Sequence, residues 1–224
     1  MTPLPLRLVI WDCDGVLVDS EGPSARVTAA ECSALGWVMT PAEAMRLFMG
    51  VRLSDMPPLV EAQIGRPVPP GWVDHLRDRM IAALGHDLDP MPGAADALRA
   101  TAALGLPYRV ASNSSHEEMV VKFACTGLAP LVQGRIHSAR DVARGKPAPD
   151  VFLAAAAAEG VPPGACMVVE DSLPGVAAAV AAGMPVLGLD AHGDGAALRA
   201  AGARPIRALA ECPALFHAAL RAAA

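Results

Sequence analysis

The sequence has no long hydrophobic run and no block of charge of one sign. Apolar stretches such as 153–158 and 176–182 are short and rich in alanine, whereas a helix needs roughly 20 apolar residues to span a bilayer. The first residues carry neither the basic flank nor the apolar segment of an export signal. The chain has a net charge of −5 and no basic cluster, so it lacks the positive patch that binds nucleic acid. We therefore expect a cytoplasmic protein that binds neither membranes nor nucleic acid.

Lysine is scarce in this chain of 224 residues, and its cysteines form no recognisable motif. The five cysteines are widely scattered and include no C-x-x-C pair, which argues against a zinc site or a redox centre. We expect reduced thiols that mostly lie in the core. Of the 18 basic residues, only Lys122 and Lys146 are lysines. Because the chain otherwise uses arginine, Lys146 suggests a place where a compact ammonium is needed.

Strand patterns alternate with helix patterns over most of the chain. Apolar runs end abruptly in polar residues at Asp12-Cys13-Asp14, Ser112-Asn113, Glu170-Asp171-Ser172 and Asp190. Between these runs lie helix starts, such as a capping box at Ser115. The alternation predicts an α/β fold, with a Rossmann-like, mostly parallel sheet covered by helices on both faces. Ligands of such sheets bind at the carboxyl ends of the strands, where these polar clusters lie.

Residues 20–87 interrupt this alternation with three or four consecutive helix patterns and no strand pattern. Thr40-Pro41-Ala42-Glu43 is a capping box with proline at the first helical position. A further series of apolar residues at helical spacing begins at Trp72. We therefore predict an all-helical insert at 20–87 within a core domain of residues 1–19 and 88–224.

Asp12 and Asp14 stand at the end of the first predicted strand. Side chains two residues apart on a strand point the same way, so the two carboxylates converge. Like charges at that distance are costly unless a cation lies between them or one carboxyl is protonated. Glu170 and Asp171 follow another strand and can complete a set of hard oxygen ligands, which suits Mg2+. These residues favour a magnesium site.

The same edge of the sheet offers what phosphoryl transfer needs besides a metal, namely a cation and hydrogen-bond donors for the phosphate. Ser112 and Asn113 provide donors at a strand end just before a helix start, where backbone N–H groups also favour an anion. Lys146 provides the positive charge. The pattern therefore points to chemistry on a phosphate group.

Four ordered motifs in this chain resemble those of the haloacid dehalogenase superfamily. They are Asp12-Cys13-Asp14-Gly15-Val16-Leu17, Ser112-Asn113, Lys146-Pro147-Ala148-Pro149-Asp150, and Glu170-Asp171-Ser172 with Gly175. The resemblance covers nearly the whole chain. It is closest to the phosphatases and phosphomutases whose helical cap is inserted after the first motif, a group that includes β-phosphoglucomutase. It implies that the helical insert is such a cap.

The resemblance also implies a role for each motif residue. Asp12 is the nucleophile that forms an aspartyl-phosphate, and Asp14 is the general acid for the leaving group and then the base for water. The metal is held by the Asp12 carboxylate, the Asp14 backbone carbonyl and Asp171, with Glu170 close by. The residues implied to bind the phosphoryl oxygens are Ser112, Asn113 and Lys146.

In the cap, Gly50 and Arg52 belong to a loop that resembles the substrate-contacting loop of this group, and Arg52 is suited to clamp a carboxylate or a second phosphate. The β-phosphoglucomutase pattern carries a histidine and an arginine where this chain has Ser24 and Leu53, which favours hydrolysis. We therefore expect a monomeric Mg2+-dependent phosphatase that acts on a small phosphorylated metabolite, such as a sugar or sugar-acid phosphate. A β-phosphoglucomutase-like phosphomutase and a non-catalytic phosphate-binding regulator are the alternatives.

Overall fold

A computed structural model of the chain describes residues 5–48, 51, 53–86, 88–191 and 193–221. The strands it contains are β1 (Leu8–Trp11), β2 (Val18–Asp19), β3 (Asp89–Pro90), β4 (Tyr108–Ser112), β5 (Ile136–Ser138), β6 (Cys166–Glu170), β7 (Val186–Leu189) and β8 (Arg204–Ile206). The helices it contains are α1 (Glu21–Ala34), α2 (Pro41–Phe48), α3 (Met56–Ile64), α4 (Trp72–His86), α5 (Ala94–Ala103), α6 (His116–Cys125), α7 (Ala129–Val132), α8 (Asp150–Ala158), α9 (Leu173–Ala181), α10 (Ala196–Ala200) and α11 (Cys212–Arg221).

A parallel sheet runs in the order β5-β4-β1-β6-β7-β8, and β2 pairs separately with β3. The described pairings in the larger sheet are all parallel. The chain adds β4 and β5 on one side of β1 and then crosses to the other side for β6 to β8, so the strand order reverses at β1. Such a switch point opens a crevice at the carboxyl ends of the strands. The predicted α/β fold with a parallel sheet is confirmed.

The central strand β1 is buried on both faces because its residues are all apolar. Leu8 and Ile10 belong to an apolar cluster with alanines of α8 and α9, whose small side chains allow these helices to lie close to the sheet. Trp11 points to the opposite face, where its ring meets Phe216 of α11 edge to face, with the centroids 5.8 Å apart. Helices therefore cover both faces of the sheet, and its polar residues collect at the strand ends.

The chain divides into two compact units, residues 1–18 with 90–224 and residues 19–89. The first unit contains the parallel sheet. The second contains α1 to α4, whose apolar cluster includes Cys32 and Leu76. Among the described residues, no helix is both long and apolar enough to cross a membrane.

Candidate active site

Polar residues from three strands come together at the switch point of the sheet. Asp12 follows β1, Ser112 ends β4 and Glu170 ends β6. Trp11 lies opposite Val169 in register, and the N–H of Asp12 donates to the Val169 carbonyl oxygen at 2.9 Å. The strand order therefore places the first, second and fourth motifs side by side, although they are far apart in the sequence.

Lys146 lies between two buried carboxylates. Its Nζ is 2.5 Å from Asp12 Oδ1 and 2.8 Å from Glu170 Oε1. The three side chains are each at most 8 % exposed. The same Nζ lies 4.7 Å from the ring centroid of Phe152, which is a cation–π contact. One ammonium group therefore forms ion pairs with two carboxylates in a site that is shielded from water.

Burial and charge shift the protonation equilibria of this group. Burial raises the pKa of Asp12 from 3.8 to about 7, against the opposing effect of Lys146 and with a further contribution from Glu170. Burial alone would lower the pKa of Lys146, but the Asp12 and Glu170 carboxylates outweigh it and raise this pKa to about 12. Lys146 is therefore held as a cation, while the negative charge of Asp12 remains costly to bury. A further cation beside Asp12 would relieve that cost.

Glu170 organises the loop that follows β6. Its Oε2 accepts hydrogen bonds from the N–H groups of Asp171 and Ser172, both at 2.8 Å, and from Ser172 Oγ at 2.9 Å. Its Oε1 is held by Lys146. At Gly175, an added Cβ would lie 1.7 Å from Glu170 Oε1, so a side chain there would collide with the carboxylate. Glu170 therefore fixes Lys146 and the backbone at Asp171.

Three carboxylates are close enough to share a metal ion. Ligand oxygens of Asp12, Glu170 and Asp171 all lie within 4.8 Å of one another. Gly15 has φ +76°, and an added Cβ there would lie 2.0 Å from Asp171 Oδ2. The Asp171 carboxylate therefore lies directly against the loop that carries Asp12. Hard oxygen donors in this arrangement fit Mg2+.

A second lysine holds Asp14. Lys122 Nζ lies 2.7 and 2.8 Å from the two carboxylate oxygens of Asp14 and 2.8 Å from Ser114 Oγ. Ser114 Oγ in turn donates to Asp14 Oδ2 at 2.9 Å. Neither Lys122 nor Ser114 is among the site residues predicted from the sequence. The scarcity of lysine could have identified Lys122 as a site residue, because both lysines of the chain bind carboxylates here.

Ser112 and Asn113 are engaged in different ways. Ser112 is buried, and its Oγ accepts the N–H of Ser114 at 3.0 Å. Asn113 Oδ1 accepts the N–H of Lys146 at 2.9 Å. At Gly145, an added Cβ would lie 2.8 Å from Asn113 Oδ1. The Asn113 side chain therefore fixes the Lys146 loop, and the hydroxyl of Ser112 supports the turn that starts α6.

The helical unit contains a cavity of about 250 Å3. Its walls include Ser24 and Leu53, the two residues that distinguish this chain from the β-phosphoglucomutase pattern, together with apolar side chains such as Met80. Gly50 and Arg52, the cap residues predicted to contact substrate, lie outside the described residues. Their assignment stays a prediction from sequence.

The chain resembles known proteins over most of its length. A family model described as haloacid dehalogenase-like hydrolase matches residues 6–183. The chain is 29 % identical over 182 residues to 6-phosphogluconate phosphatase of Escherichia coli (strain K12), covering 81 % of each protein. It is 33 % identical over 186 residues to the probable pseudouridine-5'-phosphatase of Drosophila melanogaster, covering 80 % of this chain and 79 % of that one. A crystal structure of a HAD family hydrolase from Deinococcus radiodurans R1, with bound phosphate and sodium, matches with a TM-score of 0.85 at 35 % identity and covers 96 % of each chain.

Proposed function

The chain belongs to the haloacid dehalogenase-like hydrolases, and on this premise we propose that it is a Mg2+-dependent phosphatase. Its substrate is a small phosphorylated metabolite, a sugar or sugar-acid phosphate, and the reaction passes through a phospho-aspartate on Asp12. The observation that carries the proposal is the Asp12 carboxylate, which is buried against Lys146 at the switch point of the sheet. A carboxylate held in this way is oriented to attack a bound phosphate.

Two displacements at phosphorus account for hydrolysis. In the first, a carboxylate oxygen of Asp12 bonds to phosphorus while the bond to the leaving oxygen breaks, and that oxygen takes a proton from Asp14 Oδ. In the second, water attacks phosphorus and gives a proton to Asp14, while the bond to Asp12 breaks and its electron pair returns to the carboxylate. Asp14 is then protonated again, and inorganic phosphate leaves.

The remaining site residues bind and neutralise the phosphoryl group. Lys146 and the hydroxyl of Ser112 bind phosphoryl oxygens. Because the Asn113 side chain is held by the Lys146 backbone, we assign the contribution of Asn113 to its backbone N–H. Mg2+, held by the carboxylates of Asp12 and Asp171 and by the Asp14 backbone carbonyl, supplies further charge neutralisation when it is bound. Glu170 stays beside the metal ligands and orients Lys146.

The names of the relatives support the substrate class, because two of them are phosphatases named for small phosphorylated substrates. We further propose that residues 20–87 serve as the substrate-selecting cap of a core domain formed by residues 1–19 and 88–224. We also propose that the protein is cytoplasmic and monomeric.

The proposal is tested with p-nitrophenyl phosphate and a panel of phosphorylated metabolites, with and without Mg2+, by measuring released phosphate. We expect turnover by the wild-type protein that depends on Mg2+. Asp12→Asn should lower kcat by at least about 10³-fold, because it removes the nucleophile. Asp96→Asn is the matched control, since it makes the same chemical change on the exposed surface of α5, and it should leave kcat unchanged.

Three outcomes would contradict parts of the proposal. Asp12→Asn with wild-type turnover would remove the nucleophile assignment. Absence of turnover by pure wild-type protein on the whole panel would favour a phosphate-binding regulator. Isomerisation of a phosphosugar that depends on a bisphosphate would show a phosphomutase instead.

A further inference from the structure

The ammonium group of Lys122 has one hydrogen-bond acceptor for each of its N–H donors. An ammonium has three N–H donors, and three acceptors lie within 2.8 Å of Nζ, namely both oxygens of Asp14 and the hydroxyl of Ser114. An arginine would present a rigid planar fork instead, whereas a lysine directs its protons at separate acceptors. In a chain that uses arginine almost throughout, this contact set explains why position 122 carries lysine.

The elements that present this contact set are themselves fixed. The carbonyl oxygen of Ser114 accepts a hydrogen bond from Ser138 Oγ at 2.7 Å, and Ser138 is buried at the end of β5. Lys122 projects from α6, whose first turn is closed by a complete capping box between Ser115 and Glu118. Ser114 and Lys122, which both contact Asp14, therefore extend from backbone that hydrogen bonds hold in place.

A role in orientation explains this ion pair better than a role in stability. The side chains of Lys122 and Asp14 are 16 % and 31 % exposed, so solvent reaches this pair and screens part of its attraction. Fixing both carboxylate oxygens, in contrast, decides where Asp14 points. A general base is efficient when it lies within hydrogen-bond distance of the proton that it accepts and points towards that proton.

We propose that Lys122 is a positioning residue which, together with Ser114, aims the Asp14 carboxylate for the second displacement. In that step water attacks phosphorus, the bond from phosphorus to Asp12 breaks with its electron pair returning to Asp12, and Asp14 accepts the proton of the water. When the leaving group departs as an anion, the first displacement needs no proton from Asp14, so the orientation of Asp14 then matters for the second displacement alone. This inference rests on the proposed function.

The test separates the two displacements by rapid quench with p-nitrophenyl phosphate, whose leaving group departs without a proton. The formation rate of the phosphoenzyme is measured from the burst of p-nitrophenol, and its breakdown rate from loss of acid-stable protein-bound phosphate after a chase. In Lys122→Met we expect breakdown to slow by about 10–100-fold, while formation changes by less than about threefold. The phosphoenzyme should accumulate, and kcat and KM should fall together.

Three further variants and a control accompany Lys122→Met. Lys122→Arg should restore part of the breakdown rate, because it returns a cation to Asp14, and Ser114→Ala should slow breakdown less than Lys122→Met does. If Lys122→Met does not fold, the two rates are measured in Lys122→Gln instead. Val120→Met is the matched control, since it places the same side chain at an exposed position of α6, and both rates should stay at the wild-type value.

The inference and the proposed function fail in different ways. A wild-type protein that forms no phosphoenzyme defeats the proposed function itself. A wild-type protein that turns over through a phosphoenzyme, with unchanged breakdown in Lys122→Met, defeats only the role of Lys122. An equal fall of both rates in Lys122→Met, or the same fall in Val120→Met, would show a general structural effect and would also overturn the inference.

Discussion

Replacing Gly175 with alanine tests how Glu170 is held. At a helical position with open space, this change would stabilise the protein by up to about 1 kcal/mol, because glycine is the poorer helix former. At Gly175 the new Cβ would lie 1.7 Å from Glu170 Oε1 and 1.9 Å from its Cδ. These distances are far below van der Waals contact, so either the α9 backbone or the carboxylate must move.

The size of the effect follows from what that movement breaks. Glu170 is buried and accepts hydrogen bonds from Lys146, from Ser172 and from two backbone N–H groups. Disrupting a buried ion pair costs about 3–5 kcal/mol, and the gain in helix propensity offsets about 1 kcal/mol of this. We expect a net loss of about 3 kcal/mol, which corresponds to a fall in Tm of about 6–12 °C for a chain of this size.

Thermal unfolding followed by circular dichroism measures this loss. The reverse change Ala157→Gly, at an exposed position of α8, calibrates helix propensity and should cost about 1 kcal/mol. In the double variant Glu170→Asp/Gly175→Ala the shorter side chain makes room, so the added penalty of alanine should shrink by at least about 1 kcal/mol. A Tm of Gly175→Ala equal to or above that of the wild type would show that Glu170 is not held in this way.

Two other predictions concern metal binding and thiol reactivity. Because Asp12 and Asp171 are proposed to hold Mg2+, saturating Mg2+ at about 100 times its Kd should stabilise the wild type by about 2.7 kcal/mol. Asp171→Asn should lose this stabilisation by Mg2+. An undiminished stabilisation in that variant would remove Asp171 from the metal site. With an aromatic disulfide reagent, one thiol of the native protein should react fast, that of the exposed Cys125. The remaining thiols are buried, and burial raises the pKa of Cys212 to about 12 and of Cys32 to about 11, so they should react only after unfolding. A fast phase that persists in Cys125→Ser would contradict this prediction.

Much of the fold could be predicted because buried strands and helix starts are local signals. The apolar run of β1 and the capping box at Ser115 are both visible in the sequence, and their alternation with further strands and helices specifies a parallel sheet. The edge strand β8 is different, since it has three residues and contains Pro205, which an edge position tolerates. The family resemblance drawn from the four motifs is confirmed by the family model.

Local sequence patterns specify which residue types stand at the strand ends, because those residues are adjacent along the chain. The partners of these residues depend on the folded chain. Lys146 meets Asp12 across 134 positions and Lys122 meets Asp14 across 108, and no local pattern encodes such a pairing. The order of strands around β1 brings these groups together, so what each carboxylate contacts is a property of the folded sheet.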